Sequence, residues 1–281
     1  MTDPQDVLHD AGARFDPLTS AVTARVRYSL PEHVQERFRA TAEAMRLDRL
    51  PPALERLTFE GGSRRDWLNP MRGALLHHVP EGLKASHYHL DAIRRLESDV
   101  VGLCTANLPD GDGPVNGVTV GMSLGPMNFE YQAFRFALRR TLEYLAVGVS
   151  AFFKAQPGSF AHLDQALRGK EPADTRERVL AEVGAVIAQW PDMFQEQTVR
   201  DRIAHWEAVD AGVLNILWRE DTVEIGLAGG GENLFPFRLE VERRRGKRVV
   251  VDTQLTSLLE AQVERVEEIV FRILGVLGLP S

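Results

Sequence analysis

An arginine, an aspartate and a histidine stand close together in V-R-D-R-I-A-H-W, Val199 to Trp206, and their types suit one kind of chemistry. His205 offers a group that titrates near neutrality, and Arg200 offers a permanently charged fork of donors for phosphate oxygens. Asp201 lies four residues before His205, so on a helix the carboxylate shares a face with the imidazole, orients it and favours its charged form. Arg200 and His205 are five apart, which turns them about 140° from each other on a regular helix. A helix that begins between them lets both side chains reach one phosphate. Arg202 is a candidate for one further phosphate contact. Together these groups suit RNA cleavage by attack of the ribose 2′-hydroxyl, which needs acid–base help and charge stabilisation but no metal. The competing reading is a solvated helix face with one Asp–His contact.

Other clusters carry less. An arginine followed by a histidine also occurs as Arg27 with His33 and as Arg72 with His77 or His78, but Arg27 precedes Pro31, and Arg72 is followed by Gly73 among breakers. His77, His78, His87 and His89 invite a metal-site reading. His87 and His89 are two apart, however, a spacing that shares a face on a strand and not on a helix, and no H-E-x-x-H is present. The sequence therefore assigns no metal ligand and no cofactor. The run R-R-R-G-K-R places Arg243, Arg244, Arg245, Lys247 and Arg248 around Gly246. It reads either as a grip on an RNA phosphate backbone or as a solvated hairpin that protects a sheet edge from pairing. Gly229 to Gly231 lack the Gly-Lys-Ser/Thr ending of a phosphate loop. Cys104, on an apolar stripe, reads as a small hydrophobe.

The elements that must position these residues are mostly helical. Pro31, followed by Val34, Phe38, Thr41 and Met45 at spacings of four, three and four, predicts an amphipathic helix stopped by Pro51 and Pro52. Gly61 to Pro80 mixes breakers with isolated apolar residues and reads as loop with at most one short helical turn. From Ser86 the pattern sharpens: Leu90, Ile93, Leu96, Val100 and Cys104 predict a helix to about Asn107, with Asp91 in its first turn. A breaker-rich connector follows, P-D-G-D-G-P-V-N-G. A long helix is then expected from about Asn128 to Lys154, with Phe134, Leu138, Leu142, Leu145, Val149 and Phe152 as its apolar stripe and Arg135, Arg139, Arg140 and Glu143 off it.

Asp174 with Glu177 has the form of an N-terminal cap for a helix carrying Val179, Val183, Val186, Ile187 and Trp190. The motif segment, about Glu196 to Ala211, is expected to be helical. The period then changes to two at Val223, Ile225 and Leu227, and again at Phe235, Phe237, Leu239 and Val241, which predicts an antiparallel β-meander. A last helix, about Leu255 to Leu277, buries Leu255, Leu259, Val266, Ile269, Val270, Ile273 and Leu277, with Glu268 and Arg272 as a favourable pair on its outer face.

Composition bounds the function. The chain has 281 residues, 44% hydrophobic, enough for a real core. A net charge of −7 excludes the broad basic field of a protein that coats nucleic acid, so any RNA contact must be local. A single cysteine excludes a disulfide framework within one chain. A polar, acidic start and the lack of a long apolar run point to a cytoplasmic protein with no membrane segment.

The segment Arg200-Asp201 to His205 resembles the signature of the HEPN superfamily (higher eukaryotes and prokaryotes nucleotide-binding): an arginine, a polar residue, a few positions and a histidine. The likeness extends from about Ser86 to the C-terminus. It implies a mainly α fold, a HEPN-like helical bundle over 83–281, and the small antiparallel β-meander read before the last helix, at about 213–252, is an insertion that departs from the plain bundle. Residues 1–82 stand apart as an N-terminal helical and loop region. It further implies a metal-independent endoribonuclease of the toxin or antiviral-defence type, working as a homodimer whose Arg200, Asp201 and His205 line a shared cleft. A cognate antitoxin or regulatory protein is an implied partner. The alternative is a non-catalytic HEPN-like module that binds RNA or regulates a partner.

Overall fold

The structure, a computed structural model, describes residues 28–58, 66–106, 125–190 and 255–280 with their side chains, that of Cys104 aside. It also describes the backbone of strands at 13–16, 21–24, 118–123, 213–219, 222–228, 240–244 and 247–252. The chain is mainly helical.

Strands β1 (Ala13–Asp16) and β2 (Ala21–Ala24) form a two-stranded antiparallel ladder. Helix α1 (Glu32–Ala44) then starts behind Pro31, whose carbonyl accepts from the N–H groups of Val34 and Gln35 at 3.0 Å each. Proline suits that place because its missing donor is one a helix start leaves unused. Val34, Phe38, Thr41 and Met45 are all buried, as their spacing predicts. A short helix, α2 (Pro52–Glu55), follows the Pro51-Pro52 stop.

Of the stretch expected to be loop between Gly61 and Pro80, the described residues, 66–80, are largely helical. Asp66 caps helix α3 (Leu68–Gly73), its Oδ1 accepting from the N–H groups of Leu68 at 2.9 Å and Asn69 at 3.3 Å. Pro70 falls in the first turn, where it is tolerated. A single wide turn of π-helix (Ala74–His78) leads into helix α4 (Val79–Ala106), the Val79 N–H reaching back to the Ala74 carbonyl. That wide turn precedes Pro80, whose ring would collide with a carbonyl of a regular helix and which cannot donate. Leu68, Met71, Leu75, Val79 and Leu83 form one buried stripe through all three pieces. Asp91 therefore lies well inside α4, not in its first turn.

Strand β3 (Val118–Ser123), which the alternation of the sequence did not reveal, precedes helix α5 (Gly125–Phe152). All six residues of the expected stripe on α5 are at most 2% exposed. Arg135 and Arg139, placed off that stripe from the sequence, are nevertheless buried at 8% and 9%, because neighbours enclose α5 on nearly every side. Helices α4 and α5 run antiparallel in close contact. A Cβ on Gly82 of α4 would lie 2.4 Å from Thr141 Oγ1 and 3.1 Å from its Cα, and one on Gly148 of α5 would lie 2.5 Å from Leu75 Cδ2. Glycine costs helix stability, and here the cost is offset by the approach it permits.

After α5 come a short helix, α6 (Leu163–Ala166), and α7 (Ala173–Gln189). The start of α7 differs from the expected cap of Asp174 with Glu177. Helix α7 begins one residue earlier, and the Glu171 carboxylate accepts from the Ala173 N–H at 2.8 Å. Val179, Val183, Val186 and Trp190 are buried as expected.

Strands β4 (Val213–Arg219) and β5 (Thr222–Ala228) pair antiparallel, and β3 pairs antiparallel with the other edge of β4. Strands β6 (Glu240–Arg244) and β7 (Lys247–Asp252) form a separate antiparallel ladder. Residues 229–239, which would have to join these strands into the meander expected over about 213–252, lie outside the described residues. Helix α8 (Leu255–Val276) closes the fold with every expected core residue buried. Gly278, at φ +79°, ends it: the Leu279 N–H reaches back to the Leu274 carbonyl at 3.0 Å, and Leu279 turns into the core. No described helix is long and apolar enough to cross a membrane.

Candidate functional site

The residues of the Arg-Asp-x3-His motif, Arg200, Asp201, Arg202 and His205, lie outside the described residues, as does the helix expected around them. The described chain ends before them at Trp190 and resumes after them at Val213. Of the basic run, Arg243 and Arg244 close β6, and Lys247 and Arg248 open β7, while Arg245 lies outside the described residues. The register sets Arg243 opposite Arg248 and Arg244 opposite Lys247.

Three of the four histidines considered for metal binding, His77, His78, His87 and His89, are drawn to different partners. His78 stacks on the Tyr144 ring at 4.8 Å, His87 Nε2 lies 2.7 Å from Glu267 Oε1, and His89 Nδ1 lies 2.7 Å from Glu130 Oε2. Among the described residues no group of three or more His, Cys, Asp or Glu side chains has the arrangement to hold a metal ion.

What the structure does gather is a polar seam between α4 and α8. Glu97 accepts from the Thr256 hydroxyl, Arg94 pairs with Glu260, and His87 pairs with Glu267. Arg94 follows His87 by seven residues and Glu267 follows Glu260 by seven, so the two antiparallel helices meet through the same face at matched intervals. The seam is closed to solvent at the His87 end, where the side chains of His87 and Glu267 are 16% and 8% exposed. Helix α1 adds to that end: His33 lies 4.0 Å from Glu267, and the Arg37 guanidinium sits over the Phe271 ring at 3.6 Å. Burial pushes the Arg37 guanidinium below its ordinary value, against the attraction of Glu267.

Chemically, the His87 and His89 imidazoles each have a carboxylate that orients the ring. Enclosed between two long helices, the His87–Glu267 pair fixes their register and presents little surface to a substrate. The signal for the seam was present in the sequence as oppositely charged residues at seven-residue spacing on two long helices, but only the pairing of α4 with α8 brings them together.

Tyr28 joins the seam from the residues before α1. Its hydroxyl donates to Asp91 Oδ2, and Asp91 Oδ1 accepts from Arg94 Nη1 at 2.5 Å. The Tyr28 phenol is pushed up to about 12 from 10.0, chiefly by burial and then by its bond to Asp91. The folded state thus holds the phenol proton more tightly than the unfolded chain. This contribution to stability is present below about pH 10 and is lost as pH rises towards 12. In urea titrations, Tyr28→Phe should be less stable than wild type at pH 8, and the gap should narrow by pH 11. A gap that is constant across that range would separate Tyr28 from this pH dependence.

Compared with protein-family models, with curated proteins and with solved structures, the chain matches none of them.

Proposed function

We propose that the chain is a metal-independent endoribonuclease, of the kind used as a toxin or in antiviral defence, and that it works as a homodimer. The observation that carries this reading is the grouping of Arg200, Asp201 and His205 at spacings that suit attack of a ribose 2′-hydroxyl on its own phosphodiester. The order of long helices supports it: α4 and α5 precede the motif and α8 follows it, the arrangement implied by the resemblance to the HEPN superfamily. In this reading the whole of 83–281 is a HEPN-like bundle carrying a β insertion.

The reaction needs one base and one acid. A His205 imidazole takes the proton of the 2′-hydroxyl, the O2′–P bond forms and the P–O5′ bond breaks, and the departing O5′ receives a proton from an imidazolium. Two protomers supply two copies of His205, one for each role. Arg200 stabilises the charge that builds on the phosphoryl oxygens, Asp201 orients His205, and Arg202 holds a neighbouring phosphate. Arg243, Arg244, Arg245, Lys247 and Arg248 extend the hold on the RNA backbone. A cognate antitoxin or regulatory protein would cover this cleft.

The test is cleavage of transfer RNA in EDTA by the purified full chain, with Arg200→Ala as comparison and light scattering as a check of mass. Cleavage by a two-chain species, lost in Arg200→Ala, is expected. The alternative is a non-catalytic HEPN-like module that binds RNA or regulates a partner. Wild type that binds RNA or a partner but leaves RNA intact in EDTA would establish that alternative in place of the ribonuclease.

A further inference from the structure

An open groove of about 480 Å³ lies where the short helix α2, the end of α5, the start of α7 and the end of α8 meet. Its walls are mainly apolar: Ala53, Phe152, Pro172, Val276 and Leu277. One cation, Arg56, is set into them. Arg56 Nε donates to the Ala53 carbonyl at 3.0 Å and Nη2 to the Phe152 carbonyl at 2.9 Å, while the guanidinium rests over the Phe152 ring at 4.5 Å. The group is thereby held rigid, yet among the described residues only two of its five N–H donors have a protein acceptor.

No carboxylate pairs with Arg56 among the described residues. Burial pushes its guanidinium below the ordinary value. Glu171, the acid that lines the same groove, is engaged in capping α7 through the Ala173 N–H. The donors left over lie beside the open groove, where a charged acceptor makes a stronger bond than a neutral one. The start of α7 at the groove favours negative charge there as well.

We propose that this groove binds an aliphatic carboxylate, the head group paired in two-point fashion with Arg56 and the chain laid along Phe152, Val276 and Leu277. A planar carboxylate matches the donors that Arg56 leaves over. A doubly charged phosphate would carry more charge towards Glu171. The volume falls within the range of about 300–1,000 Å³ usual for small-molecule sites. The site is independent of Arg200, Asp201 and His205, so it stands or falls separately from the ribonuclease reading.

Titration calorimetry of the full chain with decanoate, below its micelle concentration, tests the proposal. Saturable binding of one decanoate per chain is expected, with decanol, which lacks the charge, weaker by about tenfold or more. Arg56→Gln should weaken decanoate by a similar factor. Because Arg56 also ties α2 to the end of α5, a second variant is needed: Ala53→Trp fills the rim of the groove from an exposed position and leaves Arg56 in place. It should abolish binding without lowering the thermal midpoint. No saturable binding, equal affinity for decanoate and decanol, or unchanged binding by Ala53→Trp would each overturn the assignment.

Discussion

Replacing His205 by alanine should lower the rate of RNA cleavage in EDTA by about 10²–10⁴-fold, the usual worth of a positioned general acid or base. The reason is the chemistry of the attacking group. A ribose 2′-hydroxyl is a poor nucleophile until a base removes its proton, and an O5′ alkoxide is a poor leaving group until an acid supplies one. His205 is the only group of the motif whose ordinary pKa, about 6.5, suits both tasks at neutral pH. The pH profile carries the finer prediction. Wild type should show a bell-shaped rate with one limb rising and one falling near neutrality, and the residual activity of His205→Ala should lose that shape. An unchanged rate in His205→Ala would remove the histidine from the reaction even if the protein cleaves RNA. Circular dichroism and the urea midpoint of the variant should match wild type.

The second large effect is on stability. Phe134 sits in the middle of α5 with no exposed surface, among the largest fully buried side chains of the core. Truncation to alanine removes the transfer free energy of the ring and leaves a cavity that the surrounding helices close only in part. Phe134→Ala should therefore cost about 3–5 kcal/mol. The change in urea midpoint at constant slope measures it. A cost below about 1 kcal/mol would mean that the centre of the bundle is not packed as described, since even a partly collapsed site loses more than that.

How much of this was legible in the sequence varied with the kind of signal. The stripe on α5 and the stripe on α8 were legible because a long helix repeats its buried position many times, so no single residue decides the assignment. The helices at Leu68–Gly73 and Ala74–His78 were not. Pro70, Gly73 and Pro80 look like breakers, but one lies in a first turn and another follows a wide turn, and both places tolerate proline. Strand β3 was missed because its partner, β4, is about ninety residues away, and pairing between distant segments leaves no local trace.

The burial of Arg135 and Arg139 was missed for a related reason. Periodicity reports which residues are apolar, whereas burial also depends on how many neighbours surround the helix. The polar seam shows the same limit from the other side. His87, Arg94, Glu260 and Glu267 were each visible, and Glu268 with Arg272 was recognised as a local pair, now seen at 3.5 Å. The contacts across α4 and α8 needed the fold. For the motif itself, residue types and spacing are what the reading of Arg200, Asp201 and His205 rests on.

The central claim is best tested by the ends of the RNA fragments that the full chain produces in EDTA. Attack by the 2′-hydroxyl leaves a 2′,3′-cyclic phosphate on one fragment and a 5′-hydroxyl on the other, because O2′ displaces O5′ at phosphorus. Fragments with those ends, formed by wild type and not by Arg200→Ala or His205→Ala, are the predicted result. Intact RNA, or fragments with 5′-phosphate ends that appear only when a divalent metal is added, would contradict the account.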